Sequence, residues 1–185
     1  MSDTAGELHR MVLGIVEDLE AAVAGNLYEV DGDYKVIDDL DEWKNAEYRK
    51  KVEAFKKEHP ESDFTVSQTP GVGDAPSESF DSYQEWVEDE IGTAEDVDEP
   101  DEVSLSEYLE KRGLGDTRFE VDSSKQLRGA KTLFTYGGPN IWVADDEVRG
   151  YWGSERVEMS LDSDTQHALF SWFEEQWDMI IKGGK

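Results

Sequence analysis

Apolar positions along this chain recur first at helical and later at strand spacing. Leu8, Val12, Ile15, Leu19 and Val23 fall on one helical face after a Thr4–Glu7 capping pair. Gly25 and Asn26 then stop the helix. Leu27 to Val30 and Tyr34 to Ile37 flank Asp31-Gly32-Asp33, which predicts a hairpin. Asp39 and Glu42 start a second helix, whose stripe is Leu40, Trp43, Tyr48, Val52 and Phe55 and which ends before Pro60.

Residues 59–79 are rich in turn formers, above all the run 67–77, and read as a linker. Phe80, Tyr83, Trp86, Val87 and Ile91 then give one short amphipathic helix. Residues 95–102 read as an acidic loop, and Ser104 and Glu107 cap a brief helix that Gly113 ends.

From residue 117 the period changes to two. Phe119 and Val121 mark one strand, and Thr132, Phe134 and Tyr136 another. After the turn Gly137-Gly138-Pro139-Asn140 come Ile141-Trp142-Val143, the stretch 148–152 and the stretch 156–159, with Asp145-Asp146 and Gly153-Ser154 as hairpin turns. Ser163 and Gln166 cap a last helix whose buried side is Leu169, Phe173, Trp177 and Ile180. The expected fold class is α+β. It comprises an N-terminal helix–hairpin–helix, an acidic middle segment with short helices, and a C-terminal antiparallel meander of about five strands covered by one helix. The corresponding regions are 1–58, 59–103 and 104–182.

Charge changes this picture most. The 185 residues hold 45 Asp and Glu against 18 Lys and Arg, a net charge of −27. Residues 61–110 hold 17 acids and no Lys or Arg, so most of the excess sits in one stretch. Such a segment must be solvated, screened by salt or matched to a positive partner. A basic nucleic-acid-binding face and direct nucleic-acid binding are not expected. No apolar run is long enough for a membrane span, and the first residues do not read as a secretory signal. With no cysteine there is neither a disulfide framework nor a thiolate nucleophile. A cytoplasmic protein is the expectation.

Candidate chemistry is sparse. His9, His59 and His167 are too far apart for a helical metal pair. Gly71-Val72-Gly73 lacks the third glycine of a dinucleotide loop. Asp31 to Glu42 has the length of a calcium loop, but Lys35 and Val36 stand where an oxygen ligand and a glycine belong, and the hairpin explains the same residues better. Among so many acids, carboxylate pairs are uninformative about glycoside chemistry. Trp142, Tyr151, Trp152, Trp172 and Trp177 could form a stacking platform, but their spacing suits a core. No catalytic, cofactor or metal residues are assigned, and the chain reads as a non-enzyme.

The blocks Gly137-Gly138-Pro139-Asn140-Ile141-Trp142-Val143 and Gly150-Tyr151-Trp152-Gly153, with Gly129 and the preceding Ser106-Glu107-Tyr108-Leu109, resemble a family of proteins from conjugative elements, plasmids and phages of Gram-positive bacteria. The resemblance covers residues 105–177 and implies a mobile-element setting rather than a mechanism. Setting and charge together predict an inhibitor that imitates DNA and occupies the positive groove of a basic nucleic-acid-binding host protein, such as a restriction or CRISPR effector. The expected contact residues are Asp81, Glu85, Glu88, Asp89, Glu90, Glu95, Asp96, Asp98, Glu99, Asp101 and Glu102. The alternative is a protein-binding adaptor that uses the C-terminal sheet, with the acidic segment only a solubilising tether.

Overall fold

A computed structural model describes residues 4–61, 82–113, 115–135 and 138–183. The turn-rich run 67–77, Phe80, Asp81, Tyr136 and Gly137 lie outside the described residues. The fold is α+β, with elements in the order α1 (Thr4–Ala24), β1 (Leu27–Val30), β2 (Asp33–Val36), α2 (Leu40–Glu58) and α3 (Tyr83–Ile91). After a 3-10 turn at Ala94–Asp96 come β3 (Asp101–Glu102), α4 (Leu105–Arg112), β4 (Thr117–Val121), β5 (Leu127–Leu133), β6 (Asn140–Ala144), β7 (Glu147–Trp152), β8 (Glu155–Ser160) and α5 (Ser163–Gly183).

These elements form two compact units, Met1–Val36 with Pro100–Lys185, and Ile37–Glu99. The division differs from the expected boundaries at 58 and 103. Leu8, Val12 and Leu19 of α1 are fully buried, and α1 packs on β7 and β8. Its apolar stripe is therefore part of the core of the C-terminal sheet rather than of a separate N-terminal lobe.

In the larger unit, β4 to β8 form an antiparallel meander in sequence order. Trp152 pairs with Glu155, leaving Gly153 and Ser154 as the turn, with Gly153 at φ +64°. Ile141, Val143 and Val148 are fully buried on the inner face. One covering helix was expected; α1 covers β7 and β8 while α5 lies against β5. Gly150 admits α1, because a Cβ there would lie 2.6 Å from Val12 Cγ2 and 2.8 Å from Leu8 Cδ1. The loop from β5 to β6 is tied by Thr135, whose hydroxyl donates to the Pro139 carbonyl and accepts from the Ile141 amide at 3.1 Å.

A second sheet has the order β2-β1-β3. Asp31 and Gly32 both take left-handed φ values, 55° and 84°, as a tight hairpin turn requires. Asp101 and Glu102 were expected in a loop. Instead they form a strand, because Tyr28 pairs with Glu102 and the Val103 amide donates to the Leu27 carbonyl at 2.8 Å.

The cap of α5 is Asp162, one residue earlier than expected: its carboxylate accepts from the Thr165 amide at 2.7 Å. That bond holds the Asp162 carboxyl below the usual carboxylate range. Asp162→Ala is expected to cost about 1 kcal/mol and to lower Tm by about 2–4 °C, measured by thermal unfolding.

The smaller unit has a modest core. None of the α2 stripe residues Leu40, Trp43, Tyr48, Val52 and Phe55 is fully buried, contrary to expectation. Among the described residues, their cover is the two-turn α3 and the 3-10 turn, which are too short to enclose a nineteen-residue helix. Among the described residues, Ile37, Val87 and Val97 are its buried apolar residues. Around them Trp86 meets Phe55 edge-on at 5.1 Å, and the Tyr83 hydroxyl donates to the His59 carbonyl at 2.5 Å. Trp86 is thus an anchor, as its spacing suggested.

Candidate functional site

The acidic candidates start on α3. Ser82 caps it by accepting from the Glu85 amide at 3.1 Å, and Gly92 at φ +80° ends it. Each residue advances about 100° around a helix. With Val87 buried and Tyr83, Trp86 and Ile91 half-buried, Glu85, Glu88, Asp89 and Glu90 are left exposed. Glu88 accepts from the Gln84 amide group at 2.8 Å, and Glu90 from the Trp86 indole at 3.4 Å. Neither contact neutralises charge.

Beyond α3, Glu95, Asp96, Asp98 and Glu99 are also exposed. Asp96 has a structural task, because one of its oxygens accepts from both the Thr93 amide and the Thr93 hydroxyl at 2.8 Å. Those bonds hold its carboxyl below the ordinary value. Glu99 is paired with Lys44 at 2.6 Å. Every Lys and Arg of residues 37–99 lies on α2, so α3 and the 3-10 turn carry acids alone.

The structure does not gather the whole expected set on one element group. Glu85, Glu88, Asp89, Glu90, Glu95, Asp96, Asp98 and Glu99 belong to the smaller unit. Asp101 and Glu102, exposed on β3, belong to the larger one, and Asp81 lies outside the described residues. Alternation of charge along residues 95–102 gave no sign of this boundary.

Spacing alone missed the outer face of the meander. Register places Arg118 opposite Lys131, Trp142 opposite Arg149, and Tyr151 opposite Arg156. With a period of two, all six point away from the core. Arg118 lies 4.5 Å and Lys131 5.3 Å from the Trp142 ring centre, and Arg156 lies 5.7 Å from that of Tyr151. Carboxylates temper the cations: Asp116 pairs with Arg118 at 3.2 Å, Glu147 with Arg149, and Glu158 with Arg156. By contrast Trp152, Trp172 and Trp177 pack against the core.

Asp18 and Tyr108 form the most strongly perturbed pair. The fully buried Tyr108 hydroxyl donates to Asp18 at 2.8 Å, and burial pushes both groups above their usual values. The folded state therefore favours a protonated Asp18 carboxyl. That contribution to stability is full below the unfolded carboxyl pKa and is lost as pH rises through the raised folded one. Asp18→Asn is expected to flatten the stability profile as pH rises from the ordinary carboxyl pKa of about 4. Urea midpoints from that pH upward check this.

Among the described residues, no group of three or more His, Asp or Glu is arranged to hold a metal ion. Asp31 is in the hairpin turn and Glu42 in the first turn of α2. His59 stacks on Phe55 at 4.7 Å, and His167 contacts the Ser163 carbonyl at 2.6 Å. No helix among the described residues is long and apolar enough to cross a membrane.

No family model, curated protein or solved structure matches this chain. Two surfaces carry distinctive chemistry, the acidic α3 face and the aromatic–cationic sheet face.

Proposed function

We propose that this chain is an acidic mobile-element protein that inhibits a nucleic-acid-binding host defence enzyme by occupying its positive groove in place of DNA. The observation that carries the reading is the row of exposed carboxylates on α3 and the turn after it, with no Lys or Arg on either element. Duplex DNA presents one charge per ~1.7 Å of axis, counting both strands. Carboxylates three and four apart on a helix stand ~5–6 Å from one another. Glu85, Glu88 and Asp89 have that spacing, and Glu90 adds a fourth acid beside them. A basic groove would be found quickly by such a surface, and the complex would weaken as salt is raised.

The test is capture of host-lysate proteins on the immobilised chain at low salt, followed by a salt gradient. Recovery of a nuclease or CRISPR effector in salt-eluted fractions supports the reading. Retention that ignores salt, or recovery only of proteins that bind no nucleic acid, overturns it.

A second reading has its own support. The outer face of the meander presents Trp142 and Tyr151 beside Arg118, Lys131 and Arg156. Aromatic and arginine side chains are enriched at protein interfaces, which favours an adaptor that uses this sheet. Trp142→Ala would then abolish capture, whereas the DNA-mimic reading predicts that it leaves capture intact.

A further inference from the structure

Helix α1 holds a glycine in mid-helix, where glycine is a poor helix former and no turn needs it. Arg10, Gly14 and Asp18 are four residues apart, so they form one row along α1. A Cβ at Gly14 would meet nothing within 4 Å. The missing side chain therefore leaves open space between a cation and a carboxyl.

That space is a cavity of about 240 Å³ within the larger unit. Arg112, the last residue of α4, lines it opposite α1, together with Phe134 after β5. Phe134 is buried and Met11 half-buried, which gives the cavity an apolar side. The chain has 45 acids, yet neither Arg10 nor Arg112 forms an ion pair among the described residues. Arg112 also stacks on Tyr34, 5.3 Å from the ring centre. Asp18 is faced by Tyr108 and Arg112 of α4 and by Glu17 of its own helix. Its Oδ2 accepts from the Tyr108 hydroxyl at 2.8 Å, and burial works against its charge. Two guanidinium groups thus meet one carboxyl whose protonated form the fold favours. The result is a positive site on a strongly anionic chain. None of these residues belongs to the acidic α3 face or to the outer face of the meander.

The volume lies below the about 300–1,000 Å³ of drug-sized sites, so the ligand is small. Planar guanidinium forks match the oxygens of carboxylates and phosphates. A phosphate dianion would set a second charge beside Asp18 and leave Met11 and Phe134 without an apolar partner. A monocarboxylate with an apolar body brings one charge and matches both walls. We propose that this cavity binds a small organic carboxylate, held by Arg10 and Arg112 with its apolar body against Met11 and Phe134.

Titration of the isotope-labelled full chain with benzoate and with butyrate, at constant ionic strength and followed by amide shifts, tests this. The expected result is saturable binding of at least one of them with a Kd of about 1 mM or tighter and shifts centred on Gly14 and Arg112. Arg10→Gln and Arg112→Gln should each weaken it at least about fivefold. Gly14→Leu should abolish it by filling the space, in a chain that circular dichroism shows to be folded. Benzamide, which has the shape of benzoate without its charge, should bind at least about tenfold more weakly than benzoate. No saturable shift with either carboxylate overturns the proposal, and so does benzamide binding as well as benzoate. Inorganic phosphate binding as tightly as the carboxylates overturns it in favour of a general anion site. Carboxylate binding that the arginine variants and Gly14→Leu leave unchanged also overturns it.

Discussion

Gly150→Val is expected to be the most damaging single substitution in the larger unit. Its Cβ would lie 2.6 Å from Val12 Cγ2 and 2.8 Å from Leu8 Cδ1, and both of those side chains are fully buried in α1. Neither can swing into solvent, so the helix must move off β7. Overpacking by one methyl typically costs about 1–3 kcal/mol, and valine adds two more carbons. Against a stability of about 5–15 kcal/mol, Gly150→Val should remove a large share of what holds the unit folded. Gly14→Ala supplies the opposite sign on the same helix. A Cβ there meets nothing within 4 Å, so alanine should stabilise by about 0.5–1 kcal/mol. Denaturant midpoints of the two variants check both. A Gly150→Val protein as stable as wild type would mean that α1 does not lie on β7.

The second large effect concerns binding. Converting Glu85, Glu88, Asp89 and Glu90 to their amides removes four exposed charges while keeping side-chain size. Because none of the four is buried, circular dichroism and Tm should scarcely change. Affinity for the captured defence enzyme should fall by at least about 100-fold at low salt, chiefly through slower association. The salt dependence of the remaining binding should flatten too, since fewer charges are matched across the interface. Surface plasmon resonance at several salt concentrations reads both. Unchanged affinity in the tetra-amide would remove α3 from the interface.

The hairpins and helices were legible because each has local chemistry. Asp31-Gly32 and Gly153-Ser154 supply residues that tolerate the left-handed turn positions, and Asp39 and Ser104 cap helices by accepting amides three residues on. Assembly was less legible. The stripe Leu8, Val12, Ile15 and Leu19 announces a buried helix face, but no spacing says which sheet buries it. The decisive residue, Gly150, falls in sequence inside the strand 148–152, but its spacing does not say that α1 is what it admits. Ile180 shows the reverse error. Periodicity extends the apolar stripe to it, but it is exposed, because the sheet ends before the helix does. The acidic segment was legible in charge but not in connection, since the boundary between Glu99 and Asp101 depends on Glu102 pairing with Tyr28 seventy-four positions earlier. The cation and aromatic row across Arg118, Lys131, Trp142 and Arg156 could not be read before the strand register was known, because its members come from four strands.

Mimicry means that the chain and DNA compete for one groove. The most direct measurement is therefore displacement of a fluorescent DNA duplex from the captured defence enzyme by unlabelled chain, followed by anisotropy at fixed salt. Full displacement, with an apparent affinity that shifts in proportion to the DNA present, is the result expected of a DNA mimic. A complex that holds the duplex and the chain at the same time would contradict it.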